Sequence, residues 1–99
     1  MSTASVFKAL ADPTRREILR ELGAGELAAG DVASRFDIAA PSVSRHLAIL
    51  LGAGLIRQRR EGNRLFYSVE TETLAHALNS FLSAVCPTQQ IKRRKRRNR

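Results

Sequence analysis

Apolar residues recur at helical spacing through the first half of the chain, switch to alternation after Gly54, and return to helical spacing near the end. Val6, Phe7 and Leu10, with Ala11, predict a short amphipathic helix. Asp12-Pro13 then restarts the chain, because the Asp12 carboxylate suits an N-cap and Pro13 suits the first helical position. A second helix is expected over Thr14 to Leu22, with Ile18, Leu19 and Leu22 on one side and Gly23-Ala24-Gly25 ending it. A third runs from about Ala29 to Phe36 and buries Val32 and Phe36. Asp37-Ile38-Ala39-Ala40 forms a tight turn into the next helix, Pro41 to Leu51.

That fourth helix carries two different faces. Val43, Leu47, Leu50 and Leu51 make one inward stripe, while Ser42, Arg45 and Ile49 fall on the other side and Ser44 and His46 lie at the flanks. Neither Ala39 nor Ala40 has the side-chain oxygen that usually caps a helix start, so the N–H groups there are open to an anion such as a DNA phosphate. Two short helices joined by a tight turn make a helix-turn-helix unit.

Beyond Gly54 the chain reads as a basic hairpin. Leu55-Ile56-Arg57-Gln58-Arg59-Arg60 and Arg64-Leu65-Phe66-Tyr67-Ser68-Val69 flank Glu61-Gly62-Asn63, whose Gly-Asn pair tolerates positive φ. A last helix over about Glu72 to Val85 has Leu74, Leu78, Phe81, Leu82 and Val85 on one side, apolar enough for a partner helix. Thr71 is expected to cap it and Pro87 to end it. The pattern is mainly α with a small β-hairpin. Residues 1–87 are expected to form one DNA-binding and dimerisation domain, and residues 88–99 a disordered basic tail.

Charge sharpens this picture. The formal net charge is +8. Residues 92–99 carry seven Lys and Arg, leaving ten against nine Asp and Glu in the rest. Within that nearly neutral body, Arg45, Arg57, Arg59, Arg60 and Arg64 cluster between residues 41 and 69 with only Glu61 opposing them. A local basic face of this kind is expected for a nucleic-acid footprint. No apolar run is long enough for a membrane span, and the N-terminus lacks the pattern of a secretion signal. One cysteine, Cys86, cannot form an internal disulfide, which fits the cytoplasm. Isolated His46 and His76, one thiol and no clustered carboxylates leave no nucleophile–base pair, so an enzyme is not expected.

Three segments also resemble one known family. They are Leu10-Ala11-Asp12-Pro13-Thr14-Arg15-Arg16-Glu17-Ile18-Leu19, Ser42-Val43-Ser44-Arg45-His46-Leu47, and Gly54-Leu55-Ile56 with Arg60-Glu61-Gly62-Asn63-Arg64-Leu65-Phe66-Tyr67. Over roughly residues 4 to 86 the chain is similar to the ArsR family of bacterial winged helix-turn-helix repressors. The resemblance implies a symmetric homodimer, paired through first and last helices, that binds an imperfect palindrome in double-stranded DNA and blocks transcription. It places Phe7, Leu10, Leu74, Leu78, Phe81 and Leu82 at the dimer interface. The family's thiolate metal box matches Glu26-Leu27-Ala28-Ala29-Gly30-Asp31-Val32, with Ala28 and Gly30 where the cysteines would stand. Its other metal site matches Glu72, Leu74, Val85 and Thr88, which offer at most one ligand. Neither metal site is therefore expected, and operator binding is expected to need no cofactor.

The DNA contacts expected are Ala40, Pro41, Ser42, Ser44, Arg45 and His46 from the helix, and Arg59, Arg60, Asn63 and Arg64 from the hairpin. Arg45 suits a guanine edge or a phosphate. The hairpin arginines suit phosphates or a minor groove. His46 also suits a hydrogen-bonded packing role. Two rival readings are a ligand-, metal- or redox-responsive sensor with an unrecognised site, and an architectural nucleic-acid-binding protein dominated by its tail.

Overall fold

In the computed structural model, which describes residues 3–86, helix α1 (Thr3–Leu10) gives way to α2 (Pro13–Gly23) through the Asp12 cap. Asp12 is in extended backbone, and its Oδ1 accepts from the Thr14 N–H at 2.7 Å and the Arg15 N–H at 3.2 Å. The remaining elements are β1 (Leu27–Ala28), α3 (Ala29–Arg35), α4 (Ala40–Gly52), β2 (Ile56–Glu61), β3 (Arg64–Val69) and α5 (Thr71–Val85). The basic tail lies outside the described residues.

The expected hairpin is present. Glu61 pairs with Arg64 across a two-residue turn, and Gly62 adopts φ +63° there. The sheet is larger than expected, however, with three antiparallel strands in the order β1-β3-β2. Leu27 pairs with Tyr67 and Ala28 with Phe66, so β1 closes the edge of β3 that the hairpin leaves open. The expected cap of the last helix is also corrected. Thr71 is the first helical residue and Glu70 holds the cap position, without a side-chain bond. The backbone supplies the tie instead, with the Leu74 N–H donating to Glu70 O at 3.3 Å. Phe36 is half-buried in extended backbone just past α3, rather than a buried residue within it.

The core is built from the stripes read in the sequence. Ile18, Leu19 and Leu22 of α2 and Val43, Leu47 and Leu50 of α4 are buried, together with Val6 and Ala9 of α1, Val32 of α3 and Tyr67 of β3. The one turn that gathers these elements is at Gly54. Its φ is +76°, and it lets the Gly54 N–H donate to Leu51 O and the Leu55 N–H donate to Leu50 O, each at 3.0 Å. This is the Schellman pattern, and its two apolar ends, Leu50 and Leu55, are both 0% exposed. Leu55 O then accepts the Glu70 N–H at 2.8 Å, tying the start of α5 to the end of α4.

Two stability outcomes follow from these local geometries. Gly54→Ala forces a Cβ into left-handed backbone and should cost about 1–2 kcal/mol. Gly52→Ala, helical and with nothing within 4 Å of its new Cβ, should gain about 0.4–1 kcal/mol. Opposite shifts of the denaturant midpoint test the pair. For Asp12, burial favours the neutral carboxyl. The Arg15 and Thr14 N–H donors, with the charges of His46 and Arg15, outweigh it and hold the group below its ordinary 3.8. A depressed carboxyl contributes stability above its unfolded value and loses it as pH falls through the folded value. Asp12→Asn should therefore lower the Tm by a constant amount at neutral pH, and the gap should close on acidification below about pH 4. A gap independent of pH would show that the charge of Asp12 does not matter.

Candidate nucleic-acid interface

The inward stripe of α4 determines what its other face presents. With Val43, Leu47 and Leu50 buried, Ser44 and Arg45 are exposed and Ser42 is half-buried. Ile49 is also open, at 37% exposed. Arg45 forms no ion pair or hydrogen bond among the described residues, so its guanidinium keeps all its donors for a ligand. At the helix start, Ala39 is the cap residue and makes no side-chain cap bond. Pro41 lacks an N–H, and the Ser42 N–H donates to Ala39 O at 2.9 Å. The donor left at this positive helix end is the Ala40 N–H.

His46 sits differently from Arg45. It is half-buried, with Nδ1 3.4 Å from Arg15 Nη1. A guanidinium can only donate, so in the neutral ring Nδ1 is the accepting nitrogen and Nε2 carries the proton. Arg15 also donates from Nε to Ala9 O at 2.7 Å and from Nη2 to Lys8 O at 3.0 Å. One side chain thus joins the end of α1, the start of α2 and the middle of α4. His46 is placed where it both packs and borders the open face.

The wing carries Arg57, Arg59, Glu61 and Arg64 on one face of the sheet, while Arg60, paired with Leu65, falls on the other. Arg59 donates from Nε and Nη2 to the two carboxylate oxygens of Glu26, at 2.9 and 2.8 Å, and from Nη1 to Glu61 at 3.1 Å. Its guanidinium lies 4.6 Å from the centroid of the Phe66 ring, which Arg64 also approaches at 5.1 Å. The Arg59 fork holds the Glu26 carboxyl below its ordinary range, and Glu26, then Glu61, push the guanidinium further above its own. Arg57 faces Glu70 at 3.8 Å and Arg64 faces Asp31 at 3.9 Å. Among the described residues Arg60 has no carboxylate partner and reaches Gly62 O, at 3.5 Å. Asn63 is exposed at the tip.

The fold thus brings the predicted residues to two surfaces, the open face of α4 and the wing. It adds partners that the sequence did not indicate: Glu26, Asp31 and Glu70 for the wing arginines, and Arg15 for His46. None of these pairs has a local spacing signal, since the fold joins Arg59 to Glu26 from 33 residues away. Among the described residues no three His, Cys, Asp or Glu side chains gather as metal ligands, and no helix is long and apolar enough to cross a membrane.

Known proteins share this arrangement. Residues 10–59 match a helix-turn-helix domain family. The chain is 44% identical over 81 residues to the transcriptional repressor SdpR of Bacillus subtilis, covering 82% of this chain and 90% of that one. It is 33% identical to the arsenical resistance operon repressor of Staphylococcus xylosus, covering 88% and 83% respectively. A crystal structure of an ArsR family transcriptional regulator superposes with a TM-score of 0.79 at 32% identity, covering 88% of this chain and 94% of that one. These relatives are regulators of transcription and not enzymes, and with the exposed face of α4 and the wing they settle the assignment: the chain belongs to the ArsR family of winged helix-turn-helix, DNA-binding transcriptional repressors.

Proposed function

We propose that this repressor binds a palindromic operator in the cytoplasm as a homodimer and needs no bound metal to do so. The observation that carries the reading is Arg45, an unpaired guanidinium on the face of α4 opposite its buried stripe. In this reading α4 enters the major groove. Arg45, Ser42 and Ser44 meet base edges or nearby phosphates, and Ala40 and Pro41 place the helix start against a phosphate. His46 borders that contact with its Nε2–H. Arg60, Asn63 and Arg64 meet the flanking backbone from the wing.

The dimer reading is supported by α5. Phe81 is 52% exposed, Leu82 46% and Leu78 37%, an apolar row that the monomer leaves open. Phe7 of α1 meets Phe81 edge-on at 5.4 Å, while Leu10 and Leu74 pack at the border of the core. The two helices therefore present one continuous surface to a second copy. The metal-free reading rests on donor chemistry. Ala28 and Gly30 line a small groove beside Leu65 and Asn63, and offer a methyl group and a hydrogen where the family's metal box has sulfur.

Two experiments test this reading. Sequences selected from random duplexes by the native protein should contain two half-sites about one helical turn apart. On the recovered site Arg45→Ala should cost about 1–3 kcal/mol of binding free energy, with affinity of the native protein unchanged by a chelator. An equal loss on scrambled DNA would reduce Arg45 to a backbone contact. Phe81→Asp should convert the native dimer to a folded monomer by sedimentation and weaken operator binding more than tenfold. A Phe81→Asp protein that stays dimeric would move the interface elsewhere.

A further inference from the structure

Beside the wing lies a carboxylate that DNA attraction alone does not explain. Glu26 precedes β1, on the far side of the sheet from β2, and β3 runs between them. Arg59 crosses that middle strand over the Phe66 ring and grips both oxygens of Glu26. Its third nitrogen is taken by Glu61 at the wing tip. All three nitrogens of Arg59 are thus engaged with carboxylates, whereas neighbouring Arg60 faces none. A bidentate guanidinium–carboxylate pair fixes orientation as well as distance, which a single point contact does not.

We propose that Arg59 is a positioning residue: by clasping Glu26 across β3 it holds the wing in one orientation, so that Arg60, Asn63 and Arg64 meet the DNA backbone together. The proposal rests on the reading of α4 and the wing as the DNA interface. Its physical content is preorganisation. A two-stranded hairpin alone is a marginal structure, and here the third strand contributes only two residues. The clasp runs across β3 from β2 to the residue before β1, over the half-buried Phe66 ring. A wing held this way loses less conformational freedom when it reaches DNA.

Coulomb attraction and the clasp predict opposite signs for one substitution. Removing the negative charge of Glu26 beside a polyanion should tighten binding if only charge matters. If the clasp positions the wing, Glu26→Gln should instead weaken binding of the full chain to its selected duplex about fivefold. Arg59→Lys keeps the charge but loses the fork, and should weaken binding to a similar extent. The double variant should be no weaker than Arg59→Lys alone, because both changes break one unit. Tighter binding by Glu26→Gln, or full affinity in Arg59→Lys, would overturn the proposal. In the free protein, backbone amide order parameters at residues 61–64 should fall from about 0.85 to below about 0.6 in Glu26→Gln, and unchanged values would also overturn it. If the native protein binds selected and scrambled duplexes alike, the DNA reading fails by itself, and the relaxation measurement still decides the clasp.

Discussion

The left-handed turn at Gly54 is the constraint on which the rest of this structure depends. One residue reverses the chain between the end of α4 and the start of the wing, and it does so inside the core. Leu50 and Leu55, on either side of it, are both fully buried. The direction of α4 and the direction of β2 are therefore set by the same buried contact. Leu55 O extends the constraint to α5 through the Glu70 N–H. The exposed face of α4, the wing and the helix that carries the open apolar row are thus oriented from one point.

Charge around this frame is distributed unevenly. In the sequence the basic stretch from residue 41 to 69 looks uniform, opposed by a single acid. In the fold most of its arginines are matched. Arg57, Arg59 and Arg64 each face a carboxylate, and among the described residues Arg45 and Arg60 meet none. Exposed ion pairs add little to stability, so the value of these contacts lies in geometry rather than in folding energy. The free cations stand out because their neighbours are engaged. In the proposed DNA interface, those two arginines and the helix end at Ala40 are the groups that other protein charges leave open.

The stripes of α2 and α4 were legible in the sequence because a helix that buries one face must repeat its apolar residues every three or four positions. The Asp12 cap and the Gly62-Asn63 turn were legible for the same kind of reason, since each needs a particular residue type at a fixed place. What was not legible depends on distant parts of the chain. A strand as short as Leu27–Ala28 has no periodicity, and it exists only because β3 offers an unpaired edge. Glu26 reads as an ordinary surface acid until the sheet brings Arg59 across to it. Thr71 looks like a cap by composition, yet the Leu55–Glu70 backbone bond starts the helix one residue earlier.

The strand β1 has a mechanical consequence. Ala28 is the last residue of β1 and Ala29 the first of α3, with nothing between them. The first helix of the helix-turn-helix unit is therefore spliced directly onto the sheet that carries the wing, and the Gly54 turn welds the other end. Both ends of the helix-turn-helix unit are thus joined to the sheet that carries the wing. In the proposed dimer, accommodation to an operator with shifted half-sites would then fall to bending of the DNA or to sliding between subunits.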